Sequence, residues 1–132
     1  MKVVKNCYVK SEDMNHHGSL YAGVQARWIT EAAFVGVVRV IHRIDGIVMA
    51  AMDNTKFMIP VPAGTMLEFW AGITACGATS LKVHVEGKDI LDRSKVYCSS
   101  DVVFVNVDHE GKKMPHGLTL EALKLEEEKD LR

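Results

Sequence analysis

The sequence has no large excess of charge of either sign, and this absence excludes several classes of partner. Sixteen lysines and arginines stand against seventeen aspartates and glutamates, so the formal net charge is −1. Such a balance offers no broad electrostatic attraction to nucleic acid or to an anionic membrane surface. We therefore expect neither nucleic acid nor a membrane among the partners of this protein.

Cysteine is also scarce. Cys7, Cys76 and Cys98 are odd in number, lie far apart and form no Cys-x-x-Cys pair, which favours reduced thiols over a disulfide framework or a zinc site. His16 and His17 are adjacent and lack the i, i+4 spacing of a helical metal pair, so we expect no metal. The first residues turn polar too early for a secretory signal, and no uncharged apolar run reaches about eighteen residues. These features predict a cytoplasmic protein.

The chain does contain enough apolar material for one core. Apolar residues make up 48% of its 132 residues, which predicts a single domain over residues 1–132. The longest apolar segment, residues 20–41, is rich in alanine and predicts a helix that is apolar around most of its circumference. This helix should end at residues 42–46, where basic residues precede an Asp-Gly turn.

After that turn the hydrophobic period changes to that of strands. Residues 81–86 alternate most regularly between apolar and polar side chains, which indicates an amphipathic strand. A strand, one long helix and then four strands predict an α+β hotdog-like fold, in which an antiparallel sheet of about five strands curls around the helix. Residues 118–132 predict a helical tail whose acidic run, residues 126–130, is interpreted as a solvated helix end. The five predicted strands are residues 1–10, 47–57, 66–73, 81–86 and 95–107.

Several segments, taken in order, resemble the acyl-CoA hydrolases of the hotdog-fold thioesterase superfamily. The sequence DMNHHGSLYAG at residues 13–23 is followed by WITEAA at residues 28–33. Later segments resemble the strands and turns of that family: FMIPVPAGT at 57–65, GATSL at 77–81 and VFVNVD at 103–108. The resemblance implies hydrolysis of an acyl-CoA thioester, with coenzyme A as part of the substrate and no separate cofactor. It also implies a site shared by two subunits, and therefore a homodimer, tetramer or hexamer.

The resemblance places the functional residues around the start of the helix. Ala22 and Gly23 match the positions whose backbone N–H groups form an oxyanion site, which suits the unpaired amides of a helix start. Asn15 matches a loop asparagine that orients the carbonyl or the attacking water, although asparagine also shapes turns. Ser80 matches a region near the coenzyme, and a simple turn serine is the alternative.

The sequence departs from the family pattern at Thr30, where an acidic residue is expected seven positions after Gly23. A threonine without an adjacent base is a poor nucleophile, so Thr30 cannot inherit the catalytic role unaided. Glu31 is the nearest carboxylate, but one helical step turns its side chain by about 100°. It either serves the site in a shifted geometry or pairs with Arg27 on the same helical face.

Three functions from different classes follow. The first is an acyl-CoA thioesterase that uses Asn15, the amides of the helix start and Glu31. The second is a lyase or hydratase that acts on acyl-CoA, such as a 3-aminoacyl-CoA ammonia-lyase, because the same amides can stabilise an enolate. The third is a non-catalytic acyl-CoA-binding module, which the absence of an acid at Thr30 permits.

Overall fold

A computed structural model describes residues 1–130 and confirms the α+β hotdog fold. One antiparallel sheet has the strand order β1-β3-β4-β5-β2, and the long helix packs against four of its strands. The strands are β1 (Lys2–Tyr8), β2 (Ile47–Phe57), β3 (Met66–Cys76), β4 (Ser80–Asp89) and β5 (Asp92–Asn106), and the helices are α1 (Ala22–Ile41) and α2 (Leu120–Lys129).

The long helix begins two residues later than the apolar pattern predicts. Leu20 donates its N–H to the carbonyl oxygen of Val61 at 2.8 Å, and Tyr21 donates its own to that of Asp13 at 2.9 Å. These distant acceptors hold residues 20 and 21 extended, so helical geometry starts at Ala22. At the other end His42 adopts a left-handed conformation with φ 59°, which ends the helix where the basic residues and turn predict.

The core lies between α1 and the face of the sheet that it covers. Trp28 meets Phe69 edge-on, with ring centroids 6.3 Å apart. A Cβ at Gly36 would lie 3.0 Å from the Cβ of Ala71, so a glycine here lets the helix approach β3 closely. The alternation in β4 is as predicted: its apolar side chains are buried and its polar ones are partly exposed. The buried side chains of that strand are Leu81, Val83 and Val85.

The two edges of the sheet differ in length and covering. β1 has 7 residues and a register shift between Val3 and Lys5. β2 has 11 residues and pairs only with β5, with register shifts between Met49 and Ala51 and between Asp53 and Lys56. It carries exposed apolar side chains near both of its ends. Three of these side chains are Val48, Met49 and Phe57, which are 52%, 46% and 45% exposed.

The C-terminal helix is more integrated than a solvated tail. Leu123 is buried against the core, and Glu127 accepts a hydrogen bond from the backbone N–H of Ile73 at 2.6 Å. Asp130 forms an ion pair with Arg39 of α1 at 2.6 Å. The interpretation of residues 126–130 as a solvated helix end is therefore wrong for Glu127 and Asp130. Residues 131 and 132 of the predicted tail lie outside the described residues. Neither helix within residues 1–130 is long and apolar enough to cross a membrane.

Candidate active site at the start of the long helix

An open pocket lies where the loop before α1, the first turn of α1 and the end of β2 meet. Its empty volume is about 460 Å³. It brings together two of the residues that the sequence predicts, Asn15 and Ala22, at one surface. The other lining residues are Ser19, Leu20, Gln25, Phe57, Ile59 and Pro60.

Asn15 organises the loop that forms one wall of this pocket. Its Oδ1 accepts hydrogen bonds from the backbone N–H groups of His17 at 2.9 Å and Ser19 at 3.1 Å. Its Nδ2 donates to the Ser19 hydroxyl at 3.2 Å. The oxygen is thus occupied by the turn, whereas the amide nitrogen carries a second proton that remains for a ligand. These hydrogen bonds show that Asn15 shapes the turn. Its role toward a ligand stays a prediction, and in that role the amide would act as a donor.

The first turn of α1 supplies further donors. Tyr21 precedes the helix and gives no side-chain cap, while its carbonyl oxygen accepts the N–H groups of Val24 at 3.0 Å and Gln25 at 3.1 Å. Within residues 1–130, the N–H groups of Ala22 and Gly23 have no acceptor. A helix start of this kind binds an anion or a developing oxyanion.

The Tyr21 ring leaves no room for a side chain at Gly23. A Cβ at this position would lie 2.4 Å from Cε2 of Tyr21, a separation that side-chain carbons do not tolerate. The absence of a side chain therefore lets the Tyr21 ring fold over the first turn, and it leaves the Gly23 backbone accessible.

The acidic half of the expected machinery does not line the pocket. Thr30 donates its hydroxyl to the carbonyl oxygen of Arg27 at 2.8 Å. Glu31 forms an ion pair with Lys5 of β1 at 3.5 Å, so its partner is Lys5 and not Arg27 as one interpretation held. Within one chain neither Thr30 nor Glu31 reaches the pocket, and no carboxylate is among the lining residues.

Ser80 lies at the first position of β4, away from the residues that line the pocket. Its carbonyl oxygen accepts the N–H of Gly77 at 3.0 Å, and a Cβ at Gly77 would lie 2.6 Å from the Ser80 hydroxyl. These contacts support the alternative interpretation, in which Ser80 closes the turn between β3 and β4.

One residue of the pocket was missed by the sequence reasoning. Gln25 is 4% exposed, and its Nε2 donates to the carbonyl oxygen of Leu20 at 3.3 Å. Its Oε1 is buried without a hydrogen-bond partner in the described part of the chain. The available signal was a lone glutamine on a helix face that is otherwise apolar.

The cysteines are free thiols whose pKa values are raised by burial. Burial raises the pKa of Cys98 to about 12 and also raises the pKa of Cys7 and of Cys76. Cys76 lies 3.5 Å from Nε2 of His116, but Nδ1 of that ring accepts the N–H of Leu118 at 3.0 Å. A neutral ring therefore carries its proton on Nε2 and cannot deprotonate Cys76. No cluster of three potential metal ligands occurs in residues 1–130.

A sheet wrapped around one helix, with free amides at the helix start, defines the class of protein: a hotdog domain with a ligand pocket. The family model described as the thioesterase superfamily matches residues 17–94. The chain therefore belongs to the thioesterase superfamily, and the resemblance seen in the sequence is confirmed.

Individual relatives agree with this assignment. The chain is 33% identical over 73 residues to an uncharacterized acyl-CoA thioester hydrolase of Zymomonas mobilis, a match that covers 55% of this chain and 48% of that protein. The chain thus spans about half the length of the curated relative that it matches.

Solved structures share the fold. A hexameric hotdog fold thioesterase of Campylobacter jejuni superposes with a TM-score of 0.75 at 22% identity, over 96% of this chain and 97% of that one. A variant of an acyl-CoA hydrolase of Staphylococcus aureus, in complex with coenzyme A, gives a TM-score of 0.73 at 26% identity, over 84% and 67% of the two chains.

Proposed function

We propose that this protein hydrolyses the thioester bond of an acyl-CoA to release free acid and coenzyme A. The observation that carries the proposal is the unbonded N–H of Ala22, which lines the same pocket as the free amide proton of Asn15. The unbonded N–H of Gly23 follows Ala22 in the first turn of α1, although Gly23 itself is not among the residues that line the pocket. These donors suit the oxygen of a thioester carbonyl, which gains negative charge as the tetrahedral intermediate forms. The membership of the chain in the thioesterase superfamily supports the same reaction.

The reaction needs a base, which the pocket of one chain lacks. We propose that a second copy supplies it, and that the carboxylate is the partner subunit's Glu31. In this scheme the carboxylate takes a proton from water, the water oxygen attacks the carbonyl carbon, and the carbon–sulfur bond breaks. The proton then passes to the departing thiolate, so that the products are an acid and a free thiol.

The exposed edge of the sheet supports association through β2. This strand leaves one row of backbone N–H and C=O groups unpaired and carries the exposed side chains of Val48, Met49 and Phe57. Long apolar edges are usually covered by another chain or element. Phe57 also lines the pocket, so a copy seated on this edge would lie beside the site. We therefore propose a homodimer as the smallest active unit, and relatives described as hexameric thioesterases make a larger assembly reasonable.

Release of free thiol from a panel of acyl-CoAs tests the reaction, and a mixture of variants tests the shared site. Asn15→Ala and Glu31→Gln should each be nearly inactive as homo-oligomers. In a mixed dimer one site carries both substitutions and the other carries neither. Co-expression should therefore restore roughly a quarter of the activity if subunits pair at random, whereas a site confined to one chain would gain nothing.

The missing carboxylate favours a second candidate, an acyl-CoA-binding module without turnover. Only donors and apolar groups from one chain surround the carbonyl position, which is sufficient for binding. Calorimetric binding of an acyl-CoA, with no thiol release and no change in the acyl group, would establish this candidate. Consumption of the acyl-CoA without thiol release would instead indicate a lyase or hydratase.

A further inference from the structure

The buried amide of Gln25 has a fixed orientation. Its Nε2 donates to the Leu20 carbonyl oxygen at 3.3 Å, and exchanging the two ends of the amide would bring two acceptor oxygens together. Oε1 therefore faces away from Leu20. It is the one buried side-chain oxygen or nitrogen atom without a hydrogen-bond partner in residues 1–130.

An unpaired buried acceptor is rare in a native protein and calls for a partner. Gln25 lines the same pocket as Asn15 and Ala22, where the free amide proton of Asn15 and the N–H of Ala22 are both donors. The partner of Oε1 must itself carry an O–H or N–H, and a plain thioester carbonyl carries neither. A bound molecule with a donor of its own would satisfy this oxygen.

The position of Gln25 indicates which end of the bound molecule supplies that donor. Three residues after Ala22, it lies on nearly the same helical face and roughly 4.5 Å further along the axis. Gln25 is buried whereas Ala22 is exposed, and Leu20 and Ile59 add apolar walls. The coenzyme is large and highly charged and belongs at the solvent side, so the buried end suits the acyl group.

We propose that Gln25 determines specificity for acyl groups that carry a hydroxyl or amino donor close to the thioester carbonyl. This inference rests on the proposed function, because it takes the carbonyl oxygen to lie at the amides of Ala22 and Gly23. A donor on a carbon near the carbonyl then reaches Oε1 of Gln25. A plain alkyl chain leaves that oxygen without a hydrogen bond, so the site favours an acyl group whose donor satisfies it.

Matched substrates test the proposal on the unmodified protein. We expect kcat/KM for 3-hydroxybutyryl-CoA to exceed that for butyryl-CoA by about tenfold or more. Gln25→Met keeps the length of the side chain and the helix propensity but removes the acceptor, so it should bring the two values within about threefold of each other. Lys124→Met, at an exposed position of α2 outside the pocket, is the matched control and should keep the preference of the unmodified protein.

Binding separates a failure of this proposal from a failure of the proposed function. Ketone analogues of the two substrates, in which a methylene group replaces the thioester sulfur, keep the carbonyl oxygen and cannot be hydrolysed. Calorimetry should show the same preference for the hydroxylated analogue even if no thiol is ever released from the substrates. Equal affinity for both analogues would overturn the role of Gln25. A Gln25→Met variant that binds both analogues equally weakly would also overturn it, because the amide would then contact the part common to all acyl-CoAs.

Discussion

Nζ of Lys5 lies 3.5 Å from Oε1 of Glu31 and joins the outermost strand to the long helix. Both side chains are partly exposed, at 30% and 49%, so the ion pair is screened and stabilises the fold weakly. Glu31 is therefore not committed to a structural role. A role for its carboxylate at the site of a second copy stays a proposal.

Lys5→Met and Glu31→Gln separate these two roles. Each should change the free energy of unfolding by less than about 1 kcal/mol, since each removes only an exposed ion pair. Glu31→Gln should in addition lower kcat by about 100-fold if the carboxylate is the base, while Lys5→Met should not. Urea unfolding and thiol-release kinetics on both variants provide the comparison, and equal kinetics would remove Glu31 from the mechanism.

Asn15→Asp isolates the donor of the loop amide. An aspartate keeps an oxygen for the N–H groups of His17 and Ser19 but loses the free amide proton. We expect stability close to that of the unmodified protein and a fall in kcat of about 100-fold. Asn15→Ala should also lose about 1–2 kcal/mol of stability, because two backbone donors lose their acceptor. Full activity in Asn15→Asp would restrict Asn15 to the turn.

Thr30→Asp restores the acid that the family pattern places at this position. If a carboxylate at Thr30 can reach the site of a second copy, turnover should rise by about tenfold or more. Thr30→Val removes only the hydroxyl that bonds to the carbonyl oxygen of Arg27 and serves as the comparison, because it should not raise turnover. Steady-state kinetics on the two variants, with unfolding curves to verify the fold, decides the matter.

His84 makes stability depend on pH. Burial opposes its charging, but hydrogen bonds to Asp101 at 2.8 Å and Glu86 at 3.2 Å outweigh it and raise the pKa of His84 above 6.5. Burial likewise opposes ionisation of Asp101, but the hydrogen bonds from His84 and Asn54 and the charges of His84 and Lys82 together outweigh it and lower the pKa of Asp101 below 3.8. The stabilisation from His84 is thus complete below pH 6.5 and is lost as the pH rises through its folded-state pKa. The stabilisation from Asp101 is present above pH 3.8 and is lost as the pH falls through the folded-state pKa of Asp101.

Unfolding by urea between pH 5 and 9 measures this dependence. His84→Gln should flatten it and should cost about 1 kcal/mol or less at pH 6. Asn54→Ala removes a weaker hydrogen bond to Asp101 at 3.4 Å. It should leave the loss of stability above neutral pH unchanged. A His84→Gln profile that still falls above neutrality would assign the effect to another group.

Gly87→Ala tests how closely Cys98 and Phe69 pack against Gly87 in the sheet. The added Cβ would lie 2.7 Å from Sγ of Cys98 and 3.0 Å from the ring of Phe69. Overpacking of this kind should lower the free energy of unfolding by about 1–3 kcal/mol. The double variant with Cys98→Ala should recover part of that loss, because it removes the sulfur that the new methyl group meets. If the two substitutions changed the free energy of unfolding additively, the new methyl group would not meet the sulfur of Cys98.

Local patterns predict the elements of this fold well and their partners poorly. The period of apolar residues locates α1 and β2 within two residues, because it depends on chain neighbours alone. The start of α1 is shifted by hydrogen bonds to Asp13 and Val61, which the sequence cannot reveal. In the same way Glu31 pairs across the fold with Lys5, although Arg27 is its neighbour on the helix.

The candidate site was predicted where motifs supply it and missed where only packing does. Asn15 and Ala22 lie in a shared loop and helix start, and the structure brings both to one pocket. Oε1 of Gln25 lacks a hydrogen-bond partner because of which helical face is buried and which groups pack against it. A sequence motif cannot predict this. Nothing yet tests the catalytic roles of Asn15, Thr30 and Glu31 or the substrate-binding roles of Ala22, Gly23 and Ser80, and all of them stay predictions.

The unequal edges of the sheet limit how far assembly can proceed. Beside the end of β1, the carboxylate of Glu127 already occupies the N–H of Ile73, and β1 itself is short and interrupted. The β2 side offers the longer row of backbone groups to another chain, although its pairing with β5 shifts register twice. If two copies were joined by a two-fold axis through β2, their two β2 edges would pair with each other. Only the two short β1 edges would then face outward. Growth by strand addition then stops at two chains, which protects the protein against fibre formation.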